Sequence, residues 1–148
     1  MKLWLTILIC ALAAPLLAQQ PAEESRIRFR AVDIYIDSTN SPLAAYQLEF
    51  SVTNGVAKIV GIEGGAHQAF HKPPFYDPKA MQQERVIIAA FSMDKPESLP
   101  KGKMRVATIH LQTIGIEAPA FQLKLEAAAD AEGNKIPVTA SAKEENTQ

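Results

Sequence analysis

Two histidines stand four residues apart, His67 and His71, in a segment that also holds Asp77 and Glu84. Imidazoles at that spacing can share a metal on one helix face, and a carboxylate could complete the set. Gly64-Gly65 precede the pair and Pro73-Pro74 follow it, so no helix is expected to present them together. They read as solvent-exposed loop residues, and no metal site is expected. Asp130, Glu132 and Asn134 alternate like the opening of a calcium-binding loop. That loop needs a glycine at its sixth position and a glutamate at its twelfth. Here glycine comes at the fourth and Ser141 stands at the twelfth, so a hairpin turn over 131–134 is the better explanation. Asp33 and Asp37 offer a carboxylate pair of the glycosidase kind, yet their place on a strand beside turns reads as solubilising charge. Neither a nucleophile elbow, nor a phosphate-binding loop, nor a dinucleotide fingerprint occurs. The single cysteine, Cys10, lies in the N-terminal apolar run and supplies no nucleophile beyond it. No catalytic residue and no cofactor are expected.

Binding chemistry is better represented. Gly64 to Glu84 is long for a strand connection and concentrates Phe70, Phe75, Tyr76 and the Pro73-Pro74 pair. Loops of that length are often functional. One reading is a stiffened recognition loop with an aromatic surface. The other is a packing flap whose phenylalanines cap an open end of the fold. The phenylalanines fit the flap, and Tyr76 is the expected exposed contact. Tyr35 is the second expected platform. The ligand-binding candidates are therefore Tyr76, Tyr35, His67 and His71.

What must position these residues is β structure. In LAAYQLEFSV, Ala44, Tyr46, Leu48, Phe50 and Val52 share one face, and Gln47, Glu49 and Ser51 the other. Phe121, Leu123, Leu125 and Ala127 alternate with Gln122, Lys124 and Glu126 in the same way. Period two over these lengths marks half-buried strands. Arg26 to Asp37 holds Ile27 and Phe29 on one parity and Val32, Ile34 and Ile36 on the other, which suggests a bulge near Ala31 or a change of sheet. Val56 to Ile62 and Arg85 to Met93 are nearly continuous apolar runs, as central strands would be. Lys103 to Ile114 turns Ala107, Ile109 and Leu111 inward. A last short strand, Ile136 to Thr139, is expected at an edge because of Pro137. Asp77 and Pro78 could cap and open a single helical turn. The expectation is one all-β domain, a jelly-roll-like β-sandwich of 7–9 antiparallel strands.

The chain opens with Lys2 and an uncharged apolar run, Leu3 to Leu17, closed by Ala18. The run is shorter than the roughly 20 residues of a membrane-spanning helix and reads as a helical, cleavable signal peptide over 1–18. Leu8 and Ile9 before Cys10 do not suit a lipidated cysteine. The protein is thus expected to be secreted or periplasmic, and off the membrane once cleaved. Residues 19–25 read as a flexible lead-in, 26–142 as the domain and 143–148 as a disordered tail. Of 15 basic and 16 acidic residues the signal removes only Lys2. The remaining 14 against 16 leave no electrostatic footprint for nucleic acid. The only Trp, Trp4, also leaves, which weakens any case for gripping crystalline polysaccharide. Without cysteines the domain must be held by its core, and about 130 residues can bury nearly 70% of the unfolded surface.

A strand FRAVDIYID, a Ser41-Pro42-Leu43 turn and the strand AAYQLEFSV, followed later by KGKMRVATIHLQTIG and AEGNKIPV, resemble the cohesin domains and their carbohydrate-binding β-sandwich relatives. The resemblance is spread over residues 26 to 140 and carries no single diagnostic motif. It implies a jelly-roll sandwich and non-catalytic binding, either of a protein partner (dockerin-like or cell-surface) in a polysaccharide-degrading context, or of polysaccharide itself. The chain departs from the pattern in having one unit without repeats or an attached enzyme, which weighs against a scaffold role.

Overall fold

The computed structural model describes residues 26–115 and 118–145; the signal-peptide and lead-in expectations over 1–25 lie outside the described residues. Seven strands form a β-sandwich. They are β1 (Ile27–Asp37), β2 (Ala45–Asn54), β3 (Val56–Gly64), β4 (Arg85–Phe91), β5 (Lys103–Ile114), β6 (Ala120–Ala129) and β7 (Thr139–Glu144). One sheet has the order β3-β5-β1-β7 and the other β4-β2-β6, and every pairing is antiparallel. Consecutive strands β2 and β3 do not pair: Asn54 and Gly55 carry the chain from one sheet to the other.

The alternation read from the sequence decides which side chains meet between the sheets. Val32, Ile34, Ile36, Ile59, Ile109 and Leu111 of the four-stranded sheet face Leu48, Phe50, Val86 and Ile88 of the three-stranded one, all buried. Each such burial is worth about 1.5–3 kcal/mol before the entropy of ordering is counted. Tyr46 lies in the same layer. Its hydroxyl donates to the Val106 carbonyl at 3.1 Å and so ties the two sheets together. Burial drives its phenol far above the ordinary value.

Several local expectations are corrected. The irregularity in β1 falls between Ile34 and Tyr35, not near Ala31. Ile27 and Phe29 need no parity change, because they lie exposed on the sheet's outer face. A register shift in β6 opposite Gln47 and Leu48 turns Ala127 outward and buries Ala128 instead. Leu123, expected on the buried side of its strand, does face inward but stays only partly covered, since β6 is an edge strand. β4 ends at Phe91, short of Met93, and both β3 and β4, expected as central strands from their continuous apolar runs, lie at sheet edges. The closing strand is Thr139–Glu144, not Ile136–Thr139. Ile136 instead fills the core beside Ala128, donating its N–H to that residue's carbonyl. Lys143 and Glu144, expected in a frayed tail, pair with β1, and Arg30 forms an ion pair with Glu144. Period two between 139 and 144 is masked by small and charged side chains, which hid the strand.

Candidate functional site

The long loop is ordered by contacts at three places. At its base, Gly64 and Gly65 leave β3 so tightly that a Cβ on Gly65 would stand 2.4 Å from the Arg105 carbonyl. Only glycine fits such an approach. Ala66 N–H donates to that same carbonyl, and the Arg105 guanidinium donates to Gly64 O at 3.2 Å. Arg105 is held in turn by Thr108 Oγ1 at 2.6 Å, whose hydroxyl donates to Asp33 Oδ1 at 2.6 Å. On the way back, Gln82 and Gln83 bond the backbone of Ile59 and cover the β3 edge. Between these anchors, Phe75 exchanges both backbone hydrogen bonds with Ala89 of β4, at 2.7 and 3.0 Å.

This path sorts the loop's aromatic residues. Phe70 plugs the sandwich, buried edge-on against Tyr46 with centroids 5.3 Å apart. The flap reading holds for Phe70 and fails for Phe75. Its rung on Ala89 turns the Phe75 ring outward, 69% exposed, nearly parallel to the Phe91 ring with 6.0 Å between centroids. Tyr76, the residue expected to be exposed, points the other way and packs partly against the core. Period two across the bridge makes this exchange unavoidable: neighbouring residues on an extended segment face opposite sides. The position was legible to within one residue; its orientation depended on the pairing with Ala89.

Around the two rings the outer face of the three-stranded sheet is built from small side chains. Ala45, Ala89, Ala127 and Ala129 form a floor beside Phe75 and Phe91, with the exposed Gln47 of β2 standing between Ala89 and Ala127. Ile87 continues the apolar row along β4, and Met93, 89% exposed, stands beyond its end. A cleft of about 620 Å³ opens between residues 68–73 and the end of β4, lined by His71 and Lys72 on one wall and Ser92 and Asp94 on the other.

Of the remaining candidates His71 alone reaches this surface, at the cleft. His67 caps the short turn Gln68–Phe70, its Nδ1 accepting from Ala69 N–H at 3.1 Å. His71 lies at the cleft, with Nδ1 2.6 Å from the Gln68 carbonyl. Among the described residues, no group of three His, Cys, Asp or Glu side chains is placed to hold a metal ion. Tyr35 stands on the outer face of the other sheet. Its hydroxyl is 3.4 Å from Asp33 Oδ2, and the Lys103 ammonium lies 5.3 Å above the ring. Partial burial and the Asp33 charge raise its pKa. Asp130 receives amide donors from Glu132 and Asn134, closing the turn over 130–134. Compared with protein-family models, with curated proteins and with solved structures, the chain matches none.

Proposed function

We propose that this chain is an exported, non-catalytic binding module that docks a protein partner on the outer face of its three-stranded sheet. The observation that carries the reading is the pair of nearly parallel, largely exposed phenylalanine rings, Phe75 and Phe91, beside an alanine floor. Isolated exposed apolar side chains are ordinary, but contiguous ones mark interaction surfaces. Phenylalanine and methionine are enriched at interface centres. The cohesin-like pattern of the sequence supports the same class, and the uncharged run from Leu3 to Leu17 supports export.

Polysaccharide is the second reading, because the same two rings could stack on sugar faces. Two measurements separate them. The exported chain and its Phe75→Ala and Phe91→Ala variants are compared in affinity capture from the secreted proteome and on a glycan array. Under the protein reading, one partner is retained by the parent and weakened by either variant by about 1–3 kcal/mol, as aromatic anchors are. A glycan bound by the parent and lost in both variants, with no protein so affected, would replace the protein reading with the sugar one. N-terminal sequencing of exported material should begin at Gln19.

A further inference from the structure

The edge of β4 beside the cleft is unfinished as a β-ladder. Ser92 N–H donates to Ala44, and Val52 N–H donates to Glu84, so the even-numbered residues along β4 bond to β2. In an antiparallel ladder the odd-numbered ones then turn their N–H and C=O to the outer edge. Ala89 uses both in its rung with Phe75. Extending that pairing would set Pro73 opposite Phe91, and proline has no N–H to give. In the other direction Asp77 would face Ile87, but Asp77 caps the turn Pro78–Ala80 and leads the chain away. The edge groups of Phe91 and Ile87 meet no backbone partner among the described residues. Past the rung the two segments part, and their gap is the cleft.

An open edge flanked by apolar side chains is a template for another strand. The β6 edge carries Lys124 and Glu126 on its outer face, and the β3 edge is bonded by Gln82 and Gln83. β4 carries one charge at its start, Arg85, and beside the cleft presents Ile87, Ala89 and Phe91. The cleft walls bear opposite charges, Lys72 against Asp94, and neither forms an ion pair among the described residues. We infer that the cleft takes an extended segment of the partner protein as an added antiparallel strand on β4. The segment presents an apolar side chain to the Phe75 and Phe91 rings, a basic residue to Asp94 and an acidic residue to Lys72. Main-chain bonds supply affinity in this mode, and alternate side chains supply selectivity. The inference rests on the protein-docking reading and specifies how the partner is held.

The probe is a combinatorial library of short peptides selected on the exported chain. Selected sequences should alternate apolar positions and carry both charges. Hydrogen exchange of the Phe91 amide should slow on peptide addition, while that of Val86, already inside the ladder, should not change. Methylating the peptide amide that faces the Phe91 carbonyl should weaken binding about tenfold, the loss of one well-made hydrogen bond. The double exchange of Lys72→Glu with Asp94→Lys, at exposed positions, should select the charges in swapped places. Peptides that bind through Phe91 but ignore both methylation and the charge exchange would overturn strand addition and leave the docking face standing. A library without any binder sensitive to Phe91→Ala, beside a captured partner equally indifferent to it, would overturn both.

Discussion

On the outer face of the four-stranded sheet, Asp33, Thr108 and Arg105 satisfy one another and reach across to the Gly64 carbonyl. On the outer face of the three-stranded sheet, the layer around the rings is mostly alanine and phenylalanine with Gln47 among them, and the ion pairs Arg85–Glu49 and Lys124–Glu126 lie farther along the strands. The first face spends its polar groups internally and holds the base of the loop. The second receives the loop's tip and leaves apolar surface open. A buried polar network is rigid when every member is partnered, whereas exposed rings gain free energy only when something covers them. The comparison separates a face that anchors the loop from one that leaves apolar surface uncovered. It also has an exception: Ile27, Phe29, Val56 and Ile114 are exposed at the far end of the first face, and nothing in the structure shows what covers them.

The strongest way to break the comparison is through the core that both faces share. Phe50→Ala should lower stability by about 3–5 kcal/mol, from lost transfer energy and a residual cavity, measured by denaturant unfolding. It should weaken partner binding only in proportion to the unfolded fraction. Next is the anchoring face. Thr108→Val removes the hydroxyl between Asp33 and Arg105 without changing shape, and should cost about 1–3 kcal/mol. If the network holds the loop, Ala66 amide exchange should accelerate more than that of Val86. Equal acceleration at both would show that the network stabilises the sheet alone. Phe75→Ala and Phe91→Ala should do the reverse, changing stability by about 0.5 kcal/mol or less while reducing binding.

The smallest expected effect is at the Arg85–Glu49 pair on the outer face of the three-stranded sheet. Its hydrogen bond from Arg85 holds the Glu49 carboxyl below the usual range. A lowered folded-state pKa gives a contribution present above the unfolded value and lost as pH falls through the folded one. Because both groups are solvent-screened, Glu49→Gln should leave the thermal midpoint at neutral pH nearly unchanged. Any difference from the parent should shrink on acidification, and salt should diminish it.

Much of the fold was legible in the residues. The alternations in 44–52 and 103–114 place the buried faces of β2 and β5 correctly, and Asp77-Pro78 does open a helical turn. The long loop was legible as a segment, from its length and its aromatic and proline content. Within it the sequence assigned the exposed role to Tyr76, and the structure transfers it to Phe75.

By itself, then, the sequence determined the sandwich and its inner faces, because a period of two is a property of neighbouring residues and needs no partner to be read. Only the tertiary structure decided which apolar residues remain outside. Ala89, fourteen residues beyond Phe75, supplies the rung that turns that ring outward, and Gln47, far from Ala127 in the sequence but its partner across the β2–β6 ladder, is where the register slips to turn Ala127 onto the floor. Alanine and phenylalanine carry no mark of the side they face; the partner across the ladder sets it, and that partner is chosen by closure of the whole sandwich.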